Sequence, residues 1–199
     1  SDSAIYRHLP NHPTKPFVGG ELQALKVSST DRFRLSEGPK VGDAFDVEWV
    51  SVPDPQAIKT STRDQAHNMG AAFLSRGEGA WLAGRQVYFC STDGGPANRG
   101  QLYKLDLSLE NKDQITLVAQ AEGDEAFDKP DNVTVSPWGD VFLAEDGDAP
   151  NGACVLHPDG SVRYFAENVL NDGDSEITGV CFSPDGRWLF LNLQWEGLT

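Results

Sequence analysis

The sequence predicts an all-β chain of the β-propeller kind, with about three blades and one short helix near residues 58–75. Two observations carry that class. Short apolar strands recur at even spacing between Gly, Pro and Asp turns, a pattern shared by sandwiches, barrels and propellers. The stretch VTVSPWGDVFLAED from Val133 then aligns with VCFSPDGRWLFLNL from Val180, a displacement of 47 residues, and AWLAGRQVYFCST from Ala80 fits the same template more loosely. Each hairpin of this kind continues into a second one, so the repeat is a four-stranded unit of blade length.

Taken in order, residues 1–19 are rich in Pro and His without a period and read as an extended segment over a surface. ELQALKV (21–27) and FDVEWVSV (45–52) alternate apolar and polar residues as half-buried strands do. Between 58 and 75 good helix formers cluster, with Ala66, Met69 and Phe73 on one face and Gly70 as the weak point. From Gly77 onward come the strands 79–82, 86–91, 101–106, 114–119, 133–135, 141–144, 153–157, 161–166, 179–182 and 188–192. They group into a blade at 78–120, a blade at 131–168 and an inner half-blade at 178–194, with 21–52 as an outer half-blade. A ring closes with about 4–8 blades, because an open arc leaves apolar faces and strand edges exposed. The expectation is an incomplete ring: a piece of a longer protein, or copies that associate to close it.

Composition narrows the function. With 30 acidic against 16 basic residues the chain carries a formal charge of -14. That excludes a nucleic-acid binder and an anionic membrane surface as partners, and suits a protein that binds cations. No apolar run is long enough to span a bilayer, and SDSAIYRHLPNHP lacks the charged and apolar regions of a signal peptide. Cys90, Cys154 and Cys181 form no CxxC pair; Cys90 and Cys181 lie in apolar strands and read as buried thiols. Trp81, Trp138 and Trp188 occupy repeat-related places and read as packing residues within or between blades.

The candidate chemistry lies at the strand ends. Glu78, Asp93, Asp131, Asn132, Glu145, Asp146 and Glu176 recur at the same hairpin rim, with Asn192 and Gln194 at the equivalent place in the last repeat. Any one of them suits an ordinary turn. As a set on radially arranged blades they would share one mouth, an oxygen-rich site for calcium or for ferric or manganese ions. The sequence has no GxSxG elbow, HExxH or phosphate-cradling loop, and His8, His12, His67 and His157 show no ligand spacing. Catalytic and substrate-binding residues are not assigned by these patterns.

The ordered series EGAW (78–81), VYFCSTDGG (87–95), GQLYKLD (100–106), PDNVTVSPWGD (130–140), AEDGD (144–148), SEITGVCFSPDG (175–186) and LFLNLQ (189–194) resembles the C-terminal part of the PhoX-type alkaline phosphatases. The resemblance implies a six-bladed propeller, of which this chain would hold about half, with iron (Fe3+) and calcium (Ca2+) ions on its axis hydrolysing small phosphate monoesters. It implies Glu78, Asp131, Asn132, Glu145, Asp146 and Glu176 as metal ligands, and a periplasmic or extracellular setting. The family's remaining ligands, a bridging cysteine and phosphate-binding arginines belong to an N-terminal half, which would also complete the ring. Two rival readings of the same axis are a calcium-dependent propeller lactonase and a non-catalytic propeller that binds protein partners.

Overall fold

The computed structural model describes residues 2–108, 112–123, 127–148 and 150–199. In chain order these form β1 (Asp2–Ser3), β2 (Tyr6–Pro10), β3 (Gly20–Val27), β4 (Ala44–Ser51), α1 (Thr62–Asn68), β5 (Leu74–Ser75), β6 (Gly77–Ala83), β7 (Gln86–Ser91), β8 (Gln101–Asp106) and β9 (Gln114–Gln120). Then follow β10 (Pro130–Val135), β11 (Val141–Glu145), β12 (Gly152–Leu156), β13 (Val162–Glu167), a 3-10 turn at Asn171–Gly173, β14 (Ile177–Phe182) and β15 (Leu189–Leu193). The fold is mostly β with one short helix, arranged as part of a propeller.

Strands β6 to β9 form an antiparallel meander, β10 to β13 form a second, and β14 with β15 forms a lone hairpin. The repeat is visible in the turns. Gly139 and Gly186, 47 residues apart, both have positive φ, and Gly139 N–H and Gly186 N–H donate back to Ser136 O and Ser183 O. A side chain at either position would be strained, which is why the turn asks for glycine.

The sheets stack face to face because their central strands are apolar on both sides. In β11, Val141 and Leu143 join Cys90, Leu102 and Ala119 of the first meander in one buried cluster. Phe142 and Ala144, pointing the other way, join Ile177 and Val180 of the last hairpin in another. The opposite face of the first meander buries Phe89, Tyr103, Leu105 and Leu117 against Leu25, Val27, Leu35 and Val47.

Residues 21–52 do not stand apart as a separate half-blade sheet. Strand β4 pairs with β9 through Ala44↔Thr116, Phe45↔Ile115 and Asp46↔Gln114, so β2, β3 and β4 extend the first meander into a seven-stranded sheet. The last strand of a meander carries unpaired N–H and C=O groups, and β4 covers that edge. Residues 6–10, read as part of an extended segment, pair with β3 from Tyr6↔Ala24 to Pro10↔Gly20. Pro10 ends the edge strand of the sheet, where a missing N–H costs nothing.

The helix is shorter than its formers suggest. Ser61 Oγ accepts from Asp64 N–H and caps the start; Gly70, with φ +89°, turns the chain out of the helix just beyond its end. Phe73 therefore lies in a bridge with Arg34 rather than on a helical face, and Met69 is exposed while Ala66 is buried. The tryptophans also depart from expectation. Trp138 and Trp188 are 62% and 65% exposed, and Trp81 is at the margin of exposure. Trp138 still bridges neighbouring sheets by an edge-on contact with Phe182 at 5.4 Å, while its indole N–H donates to Asp140. Cys90 and Cys154 are buried free thiols, and Cys181 is half-buried.

One close approach fixes the geometry of the rim. A Cβ on Gly79 of β6 would stand 2.6 Å from Asp131 O, 2.8 Å from Asn132 Cα and 3.0 Å from Val133 N. All three atoms are β10 backbone and cannot rotate away. Gly79→Ala is expected to wedge the two sheets apart and cost about 1–3 kcal/mol, as overpacking does, measured by urea unfolding.

Candidate metal centre

Four carboxylates stand at strand ends in three successive sheets. Glu78 lies near the start of β6, Asp131 near the start of β10, Asp146 one residue past β11, and Glu176 one residue before β14. The stacking of β6 and β14 on either side of β10 brings them together. Their electrostatics show it. Burial, then Asp131, and less strongly Asp146, raise the Glu78 carboxyl above its usual range. Burial and Asp146 raise Asp131, and burial, Asp146, Asp131 and Glu78 raise Glu176. Like charges packed together in a partly buried place favour protonation or a bound cation. Among the described residues, no group of three or more His, Cys, Asp or Glu side chains is already gathered as a metal cage. The four form a wider rim, whose oxygen donors suit hard cations.

The other sequence-derived candidates sit differently. Asn132 Oδ1 accepts from Gly179 N–H at 2.9 Å and ties β10 to the last hairpin. Glu145 is 1% exposed and turned into the second meander. It accepts from Asp128 N–H and Gly152 N–H, each at 2.7 Å, from Tyr164 OH at 3.2 Å and from the Cys154 thiol at 3.5 Å. The structure does not bring it to the rim. Asp93 lies with Asp2 and Arg34 around a separate small cavity. Gln194 N–H donates to Glu176 O, and its side chain holds Glu176; Asn192 donates to Thr178 O and accepts from Thr199.

Two neighbours of the rim carry no clear mark in the sequence. Arg76, two residues before Glu78 and at φ +37°, is the cation that lowers both Glu78 and Asp131 against the effects of burial and like charge. Thr92, fully buried, donates to Asp131 Oδ1 at 2.5 Å and so fixes that carboxylate. Arg76 stands inside the RGEGAW stretch, and its spacing from Glu78 is the available signal; nothing in STDGG singles out Thr92. Cys90 lies close enough to feel Asp131 and Glu78, and burial, then those charges, push its thiol up.

The fold and site together define an incomplete propeller with an acidic rim across three sheets. The chain belongs to the PhoX alkaline phosphatase family, whose sequence profile, described as alkaline phosphatase PhoX, matches residues 1–197. The structure of Pseudomonas fluorescens PhoX in complex with vanadate, a transition-state analogue, superposes with a TM-score of 0.70 at 17% identity, covering 96% of this chain and 44% of that one. The chain thus spans less than half the length of that relative. A gluconolactonase from Xanthomonas campestris aligns with a TM-score of 0.43 at 12% identity, over 87% of this chain and 50% of that one. No curated protein matches the chain by sequence. Among the described residues, no helix is long and apolar enough to cross a membrane.

Proposed function

We propose that this chain carries the acidic rim of a metal-dependent phosphomonoesterase site of the PhoX type. The observation that carries the reading is that β6 and β14 pack on either side of β10, so that Glu78, Asp131, Asp146 and Glu176 share one rim beside one arginine, with Asp131 and Asp146 raising their neighbours. The four carboxylates of the rim would hold Ca2+ and Fe3+, hard cations that prefer oxygen donors. When bound, such cations supply Lewis acidity and charge neutralisation at phosphoryl oxygens. The remaining work belongs to the chain. Thr92 keeps the Asp131 carboxylate in place, the side chain of Gln194 steadies Glu176, and the Arg76 guanidinium offers paired donors to a phosphoryl group entering the rim. The substrate is a small phosphate monoester, and the setting is periplasmic or extracellular, as for the family. Further blades, from a longer chain or a second copy, complete the ring.

The test is elemental analysis of the purified chain together with hydrolysis of a chromogenic phosphate monoester, with and without chelator and vanadate. Retained calcium or iron, with turnover abolished by chelator and by vanadate, is the expected result. A chain without metal and without turnover overturns the reading.

A further inference from the structure

We infer that Glu145 is a positioning residue: with Asp128 and Asn151 it fixes the turn at residues 146–148 and so sets where the Asp146 carboxylate stands relative to Glu78, Asp131 and Glu176. The inference rests on the proposed metal centre and changes the part Glu145 plays in it.

A carboxylate has about four acceptor positions on its two oxygens. Oε1 of Glu145 accepts from Asp128 N–H, the Tyr164 hydroxyl and the Cys154 thiol, and Oε2 accepts from Gly152 N–H. With four donors on a buried side chain, the Glu145 carboxylate is committed to the second meander. What the bonds do is hold the two flanks of the acidic turn, Asp128 before it in space and Gly152 after it in sequence.

The hold passes directly to Asp146 and its neighbours. Three successive amides each have a named acceptor. Asp146 N–H donates to Lys129 O at 3.0 Å, Gly147 N–H to Asn151 Oδ1 at 2.6 Å, and Asp148 N–H to Asp128 Oδ2 at 3.0 Å. Asp128 is itself buried, held by Glu145 through its own N–H and paired with Arg99 at 3.2 Å. Asn151 is buried too, and is anchored to the next connection by Asn151 N–H donating to Gly173 O at 2.9 Å. The turn that presents Asp146 is thereby bound on all three amides to a scaffold whose centre is Glu145. Partners of this kind, one bond removed from a ligand, tune affinity by about 10–100-fold when they are lost.

The experiment compares the native chain with Glu145→Gln, Asp128→Asn, Tyr164→Phe and Asp146→Asn. It reads calcium affinity by titration calorimetry and hydrogen exchange of the amides at 146–148. Glu145→Gln puts an NH2 against a backbone N–H, so it is expected to speed exchange at 146–148 at least tenfold and weaken calcium binding about 10–100-fold. Asp128→Asn, with its side chain on Arg99 and the Asp148 amide, is expected to move both readouts the same way. Tyr164→Phe, the mildest change, moves both by a smaller step, and Asp146→Asn loses calcium with exchange unchanged. The inference is overturned if Asp128→Asn and Tyr164→Phe leave both readouts native while Glu145→Gln abolishes calcium binding as Asp146→Asn does. If the native chain binds no calcium, the metal reading fails, and exchange at 146–148 still decides the positioning role.

Discussion

Metal-free Asp131→Asn protein is expected to melt at a higher temperature than the native chain at pH 7, and to gain nothing from calcium. Asp131, Glu78 and Glu176 all have carboxyls raised by burial and by neighbouring carboxylates of the rim. A raised carboxyl binds a proton more readily in the folded chain than in the unfolded one. Stability from such a group is present at low pH and is lost as pH climbs from the ordinary carboxylate range, about 4, through the raised value. The native chain without metal should therefore melt at a lower temperature at pH 7 than at about pH 4, the ordinary carboxylate range. The Asp131→Asn change removes one of the four rim charges and keeps an oxygen for Thr92, so the fall is shallower. Calcium reverses the native penalty. At a hundredfold excess over Kd it adds about 2.7 kcal/mol, which for a chain of this size is on the order of 5–10 °C. Calorimetry in chelator and in calcium, at both pH values, reads all four quantities. A native chain indifferent to pH and calcium, or an Asp131→Asn variant that responds as the native chain does, would refute the rim as a cation site.

The propeller class was legible because the signals that announce it are local. The 47-residue displacement survives as two turns with the same glycine geometry, Gly139 and Gly186, and the continuous apolar run of β11 announces a strand buried on both faces. Edge pairing was not legible. Nothing in FDVEWVSV states that its first residues add to β9, since pairing between strands some 70 positions apart leaves no local trace. The rim was legible as a set of strand ends, but not in its membership. Glu145 and Asp146 are adjacent, and successive residues of a strand point to opposite sides. Which of the two reaches the rim depends on where β11 ends and on what waits for the inward one. Cys154 and Tyr164 wait for Glu145 from β12 and β13, a contact no spacing rule encodes. Arg76 is hidden for a related reason: a pattern of acids says nothing of the cation that tempers them, which lies two residues from Glu78 at an unusual φ.

The same logic of buried faces predicts the largest loss of stability from a single truncation. Leu143 is fully buried at the middle of β11, facing Val133 on one neighbouring strand and Cys154 on the other, within the cluster that joins the two meanders. Leu143→Ala removes three heavy atoms from a site closed by backbone on both flanks, where little can move in to fill the space. The expected cost is about 2–5 kcal/mol, a transfer loss plus the cavity left behind. For a chain of this length that lowers the melting temperature by about 4–20 °C. Leu82, on β6 and 62% exposed, is the comparison: Leu82→Ala should cost no more than about 0.5 kcal/mol. Denaturant unfolding of both variants measures the difference. The meanders are then joined by a close-packed face, and because that face sets the distance between β6 and β10, it also sets the distance between Glu78 and Asp131. Leu143→Ala should accordingly blunt the pH dependence of the metal-free chain as well as its stability, by letting the two carboxylates draw apart. Equal costs at Leu143 and Leu82 would mean that the sheets are not stacked on this face, and the rim would lose the spacing on which its chemistry depends.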